Sequence, residues 1–270
     1  MARIITLTTD FGLADEYVGV MKGVILARAP EAAVIDLSHA VDRQNIRQAA
    51  WLIRSAYRFF PDGTIHVVVV DPGVGSRRRL ILLQADGHLF LAPDNGVLGL
   101  LMEPEYFQAA YEVQCERYYL TPVSTTFHGR DILAPVAAQL AAGLEPAAAG
   151  PVISRQTLIM LAKAAVKIDR GRGTITGEII GWDHFGNLQT NIEAGSLNKL
   201  YGKDKATARV SVKGKTILGV QEAYDDKAPG EMLAVVGSRG FLEIAVNRGD
   251  AARFLAAVTG DAVTVDRSKT

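Results

Sequence analysis

A chain of 270 residues can form one large or two ordinary domains around a sizeable core. Apolar residues make up 49% and charged residues 21%, a globular balance that excludes a disordered chain. Basic and acidic side chains are equal at 29 each, so no net field steers the protein toward nucleic acid or an anionic membrane.

Arg3 to Thr9 is rich in β-branched residues and predicts a first strand, stopped by Asp10-Phe11-Gly12. Helical spacing of Val18, Met21, Val24, Ile25 and Ala29 predicts a helix from about Glu16, ended by Pro30. A short strand over Ala33 to Leu37 closes on Ser38-His39, and Asn45 to Phe59 reads as a second helix. Pro61-Asp62-Gly63 turns into the run Val67 to Val70. Four valines without alternation predict a strand buried on both faces, as in parallel sheets. Strands at Leu80 to Gln84 and His88 to Leu91 flank an Asp86-Gly87 hairpin turn, and Asp94-Asn95-Gly96 opens a short apolar helix. This alternation predicts a three-layer α/β domain with a largely parallel sheet. An Ala-rich helix over Ile132 to Ala142, capped by Thr126 or Asp131, completes it.

Beyond Gly143 the helical pattern breaks. Short strands with frequent turns at Thr174 to Ile180, Leu188 to Ile192, Ala208 to Val212, Lys215 to Leu218, Leu233 to Val236 and Phe241 to Ala245 suggest a small antiparallel β-barrel, with a helix from about Asp250 to Val258. The polar Asp169 to Gly173 link places the boundary near 168, giving domains 1–168 and 169–270. Cys115, the single cysteine, cannot form an internal disulfide and is expected to be a small buried residue. No apolar run reaches the roughly 18 residues of a membrane span, and Arg3 lies in a strand-like start rather than a signal peptide, so a cytoplasmic protein is expected.

Ligands of open α/β sheets collect at the carboxyl ends of the strands. There the valine strand meets Asp71-Pro72-Gly73-Val74-Gly75, followed by Arg77, Arg78 and Arg79. This is either an acid and an arginine poised as a pair or an ordinary Asp-Pro-Gly turn. His128 sits in the Gly-containing loop Ser124 to Asp131 before a helix, a place where active-site residues gather. In the second domain, Asp183, Phe185 and Asn187 could hold an amine, stack on a base and read its edge. Ser238 and Arg239 form a fork suited to a carboxylate, or the tip of a plain hairpin.

Taken in order, Thr8-Thr9-Asp10-Phe11-Gly12, Asp15, Asp71-Pro72-Gly73-Val74-Gly75 with Arg78, Phe127-His128-Gly129-Arg130-Asp131, Asp183-His184-Phe185-Gly186-Asn187 and Ser238-Arg239-Gly240 resemble the S-adenosyl-L-methionine hydroxide adenosyltransferases, relatives of the bacterial fluorinase and chlorinase. The resemblance covers nearly the whole chain. It implies an α/β domain, a C-terminal β-barrel, and a homotrimer with sites between subunits. It also implies a reaction in which S-adenosylmethionine and water give adenosine and methionine, with no cofactor and no metal. By the same resemblance Asp71, Arg78 and His128 would be catalytic, Asp10 would hold the ribose hydroxyls, and Asp15 and Phe127 would line the pocket. Phe185 and Asn187 would contact adenine, Asp183 the methionine amine, and Ser238 and Arg239 its polar end.

The chemistry suits those residue types. A sulfonium leaves readily, whereas water, with a pKa of about 15.7, is a poor nucleophile until a base or a cationic site favours hydroxide. Gly129 stands where the fluorinase has a halide-pocket serine, Gln189 where it has a tryptophan, and its inserted loop has no counterpart near Asp86, which favours hydrolysis over halogenation. Two other readings differ in kind. A metal-dependent hydrolase would use Asp10, His39, Asp71 and His128 as ligands, and a non-catalytic S-adenosylmethionine or adenosine binding protein would leave the Asp71-Arg78-His128 set without purpose.

Overall fold

The β-branched stretches of the chain form strands where they are expected, in a computed structural model that describes residues 3–162, 164–202 and 204–267. The chain divides into two units, Met1–Leu161 and Ala162–Thr270.

In the first unit β1 (Ile4–Thr9), α1 (Tyr17–Arg28), β2 (Ala33–Ser38), α2 (Ile46–Ala56) and β3 (Ile65–Val69) alternate, followed by β4 (Leu80–Ala85), β5 (His88–Pro93), β6 (Phe107–Glu112) and α3 (Ala134–Ala141). The sheet order is β2-β1-β3-β5-β4-β6. The first four strands run parallel, while β4 is antiparallel to both β5 and β6, so the sheet is mixed. The cause is local: Asp86 and Gly87 both take positive φ, 49° and 77°, the backbone of a two-residue hairpin turn. Every residue of β3 is buried. Val67 and Val69 pack with Met21 and Ile25 of α1 and Ala137 of α3. Val68 and Val70 enter a second core with Ala49 and Ile53 of α2. The unbroken valine run thus reflects a strand covered on both faces.

Several boundaries differ from the sequence pattern. The second helix ends at Ala56 and tightens into a 3-10 turn over Tyr57–Phe59, and the helix after Asp94 is a single 3-10 turn at Gly99–Leu101. α3 begins with a π-helical turn, Gly129–Leu133, and has no side-chain cap. Asp131 lies inside that turn, where its carboxylate accepts from Ser124 N–H at 2.7 Å and Arg130 Nε at 2.6 Å. Cys115 is half-buried rather than buried.

The second unit comprises β7 (Lys167–Asp169), β8 (Thr174–Trp182), β9 (Leu188–Glu193), α4 (Ala194–Tyr201), β10 (Ala208–Val212), β11 (Lys215–Leu218), β12 (Val220–Gln221), β13 (Met232–Val236), β14 (Phe241–Val246), α5 (Ala251–Leu255) and β15 (Ala262–Arg267). Their order is β11-β10-β15-β8-β9-β14-β13-β12, with β7 beside β8. Only Gly219 separates β11 from β12, the two ends of this path, so the sheet curls back into a nearly closed, barrel-like form. Its pairings are antiparallel except β12 with β13, which is parallel and departs from the expected all-antiparallel barrel. Ile175, Ile179, Leu188, Ile192, Val210, Ile244 and Val263 fill its core.

Candidate active site

β3 delivers Asp71 to the carboxyl edge of the first sheet, two residues past its last paired position. The following loop turns back on itself through Val74 N–H to Asp71 O at 3.2 Å and Ser76 N–H to Gly73 O at 3.1 Å. That return carries Arg78 onto Asp71. Arg78 Nε donates to both carboxylate oxygens, at 3.0 and 2.8 Å, and Nη2 donates to Oδ2 at 2.5 Å. Both side chains are nearly buried, at 10% and 7% exposure, so the pair forms with little solvent screening. The loop before the π-helical turn brings in His128, whose Nδ1 lies 2.9 Å from Arg78 Nη2. Gly75 makes this approach possible. Its φ is +78°, and a Cβ there would stand 2.6 Å from Thr125 O, so only glycine lets the two loops touch.

The Arg78–His128 contact fixes the imidazole's state. A guanidinium has donors and no acceptor, so Nδ1 must accept, and the ring is neutral with its proton on Nε2. Burial holds the His128 pKa below its ordinary value, and the Arg78 charge lowers it further. The site therefore presents an imidazole N–H donor beside a guanidinium that is itself clasped by the Asp71 carboxylate. That arrangement favours a bound hydroxide over a bound water.

Asp10 follows β1 at the same edge of the sheet, and its Oδ2 accepts from Gln44 N–H at 2.8 Å. Gln44 takes φ +64°, an uncommon backbone for a side chain of that size. Phe127 packs edge-on against Phe11 and Tyr17, with ring centroids 5.7 and 5.2 Å away. Asp15 is exposed on the turn before α1. Sequence reading placed Phe127 here but missed Tyr17, because one aromatic at a helix start carries no periodic signal.

In the second unit the β8–β9 hairpin holds Asp183, Phe185 and Asn187. Asp183 Oδ1 accepts from the N–H groups of Phe185 and Asn187, each at 2.9 Å, and Oδ2 accepts from Asn187 Nδ2 at 3.0 Å. Much of its acceptor capacity therefore builds the loop. Phe185 projects its ring outward at 72% exposure. Ser238 and Arg239 lie at the exposed tip of the β13–β14 hairpin, and Arg239 reaches Gln189 Oε1 at 2.6 Å.

Opposite Gln189 in the β9–β14 ladder stands Glu243, a residue the sequence reading did not single out. It is buried, and it accepts from Tyr224 Oη at 2.9 Å. A Cβ on Gly237 would stand 2.0 Å from its Oε1, so the hairpin turn packs directly against the carboxylate. Burial raises the Glu243 pKa; Tyr224's hydrogen bond lowers it, and the Asp183 charge raises it. Glu243 was hidden in the sequence because it alternates within an apolar strand.

Asp10, His39, Asp71 and His128 do not converge as a ligand set. The His39 ring nitrogens face Thr9 and Asp36, and His128 Nδ1 faces Arg78. Among the described residues no three His, Cys, Asp or Glu side chains gather as a metal site, and no helix is long and apolar enough to cross a membrane.

A family model described as the SAM hydroxide adenosyltransferase N-terminal domain matches residues 5–150, and one described as the C-terminal domain of the same family matches residues 177–264. An (R)-S-adenosyl-L-methionine hydrolase of Salinispora arenicola is 38% identical over 262 residues, covering 97% of each chain. A fluorinase of an Actinoplanes species is 27% identical over 292 residues, covering 98% of each. The crystal structure of a conserved protein from Thermotoga maritima has a TM-score of 0.91 at 38% identity, covering 97% of this chain and 100% of that one. With both of its domains matched in order, and with a relative this similar along nearly its whole length, the chain belongs to the SAM hydroxide adenosyltransferase family.

Proposed function

We propose that the protein hydrolyses S-adenosyl-L-methionine, in the (R) form named for the Salinispora relative, to adenosine and L-methionine. The observation that carries this reading is the Asp71–Arg78–His128 contact, which joins a cation to a neutral imidazole donor at a sheet edge. Water bound against Arg78 and the His128 Nε2–H is oriented for attack and favoured as hydroxide. Attack in line with the sulfonium forms the C5′–O bond as the C5′–S electron pair leaves on methionine, and one proton passes to solvent. No acid is needed on the leaving side, and the reaction as read calls for no cofactor and no metal.

Asp10 would fix the ribose hydroxyls, with Asp15 and Phe127 lining that end, while Phe185 and Asn187 would hold adenine. Glu243 would join Asp183 at the methionine ammonium, because much of the Asp183 carboxylate is engaged within its own loop. Ser238 and Arg239 would take the methionine carboxylate. The family resemblance supports a homotrimer in which the first domain of one subunit and the barrel domain of another complete each site, and the sequence reading, with no long apolar run and a strand-like start, supports a cytoplasmic location. The resemblance also supports reading those domains as three-layer α/β and closed barrel, while the equal counts of basic and acidic side chains favour no role for nucleic acid or an anionic membrane.

Purified protein incubated with S-adenosylmethionine in water enriched in heavy oxygen tests this. Adenosine carrying the heavy oxygen at its 5′ position, lost with His128→Ala, is the expected result. A 5′-halogenated product in chloride or fluoride would replace hydrolysis with halogen transfer. Tight binding without turnover would leave a binding protein.

A further inference from the structure

Asp10 sits on a tight turn, and the contacts that hold this turn lead to one buried side chain. Gly12 N–H donates to His39 O at 2.9 Å, and Phe11 N–H donates to Thr9 Oγ1 at 3.2 Å. Thr9 Oγ1 also lies 2.9 Å from His39 Nδ1. The His39 side chain is 2% exposed, and its Nε2 stands 3.0 Å from Asp36 Oδ1. That contact is off the line of a hydrogen bond, so it acts as an electrostatic one. Asp36 is anchored in turn by Lys22 Nζ of α1 at 2.6 Å. His39 thus meets the Asp10 turn twice, through its carbonyl and through the Thr9 hydroxyl, and is braced from behind by Asp36.

We propose that His39 is a positioning residue for the substrate's ribose, acting through Thr9 and the Asp10 turn rather than touching substrate. The inference rests on reading Asp10 as the ribose-binding carboxylate. Thr9 explains why an imidazole is used. Its oxygen accepts from Phe11 N–H and also pairs with His39 Nδ1, and the imidazole's second nitrogen lies on the side of Asp36, so one ring spans both neighbours. Each group in the chain Lys22–Asp36–His39–Thr9 then fixes the next, and the last of them sets the backbone on which Asp10 stands. A half-buried turn held by these contacts has little freedom, so its carboxylate is pre-organised for a vicinal diol.

The test compares S-adenosylmethionine with its 2′-deoxyribose analogue, using wild type, His39→Ala, His39→Asn and Thr9→Val. Asn keeps a polar atom near the Nδ1 position, and Val is nearly isosteric with Thr, so at least one folded variant is expected. With the natural substrate, His39→Ala and Thr9→Val should raise KM about tenfold, as expected for one lost hydrogen bond, with kcat within about threefold. His39→Asn should recover most of the loss. On the deoxy analogue the variants should match wild type. Variants that match wild type on both substrates, or that lose equally on both, would overturn the inference while leaving the hydrolase reading standing. A wild-type enzyme that turns over S-adenosylmethionine without preferring it to the analogue would overturn the ribose role of Asp10, and this inference with it. A wild type inactive on both would overturn the hydrolase reading itself.

Discussion

At the scale of residues, the site turns on which proton sits where. His128 is a donor at Nε2 because Arg78 occupies Nδ1, and burial and the neighbouring cation both hold its pKa below the ordinary value. A group shifted this way takes up its proton at lower pH than a free imidazole does. The His128 ring resonances in an NMR titration should therefore give a pKa below 6.5, rising in Arg78→Met, where one of the two causes is removed. Arg78→Lys keeps the charge but loses the fork that spans Asp71 and His128. It should lower kcat about 100-fold, with KM changed by less than about threefold in steady-state assays. The sequence pointed to Asp71, Arg78 and His128, but not to the tautomer. That depends on which ring nitrogen faces the guanidinium, a property of two loops 50 residues apart.

At the scale of elements, loops carry the residues of the proposed chemistry, and Gly75 lets two of them meet. Gly75→Ala should destabilise the protein by about 1–3 kcal/mol, because the position combines positive φ with a backbone oxygen where the methyl would go. Chemical denaturation reads that loss. Activity should fall further than stability accounts for, since the displaced loop carries Arg78 away from His128. Strands were legible from β-branched runs and turn residues, and the Asp86-Gly87 hairpin from its dipeptide. The π-helical turn after His128 was not, because its extra residue leaves no mark on hydrophobic spacing. Nor was β6, whose alternation is too weak to stand out from a loop.

At the scale of the whole molecule, the first unit buries two histidines that the proposed reaction does not use. His66 stacks on Phe90, and its Nδ1 meets Thr6 Oγ1 at 2.7 Å, while His88 lies against it. Burial pushes the His66 pKa down to about 3 and lowers that of His88, each with charge contributions from neighbours. The unfolded chain binds protons at these rings near pH 6.5, whereas the folded chain does not bind one at His66 until near pH 3. Stability is therefore fully present above about 6.5 and is lost progressively as pH falls from there toward 3. His66 alone should remove about 2–3 kcal/mol between pH 7 and pH 4.5, read by urea unfolding at the two values. His66→Gln should flatten that dependence.

The sequence by itself determined the two-part organisation, the buried valine strand and the motifs that mark the family. These depend on composition, on periodicity and on short segments whose residues act locally. The tertiary structure decided the rest: that Arg78 clasps Asp71 and fixes His128, that Asp183 is largely engaged in its own loop, and that Glu243 lies buried opposite Gln189. Each depends on side chains far apart in the chain meeting in a low-dielectric setting. Such meetings are set by how strands pair and loops close, which hydrophobic patterning does not encode.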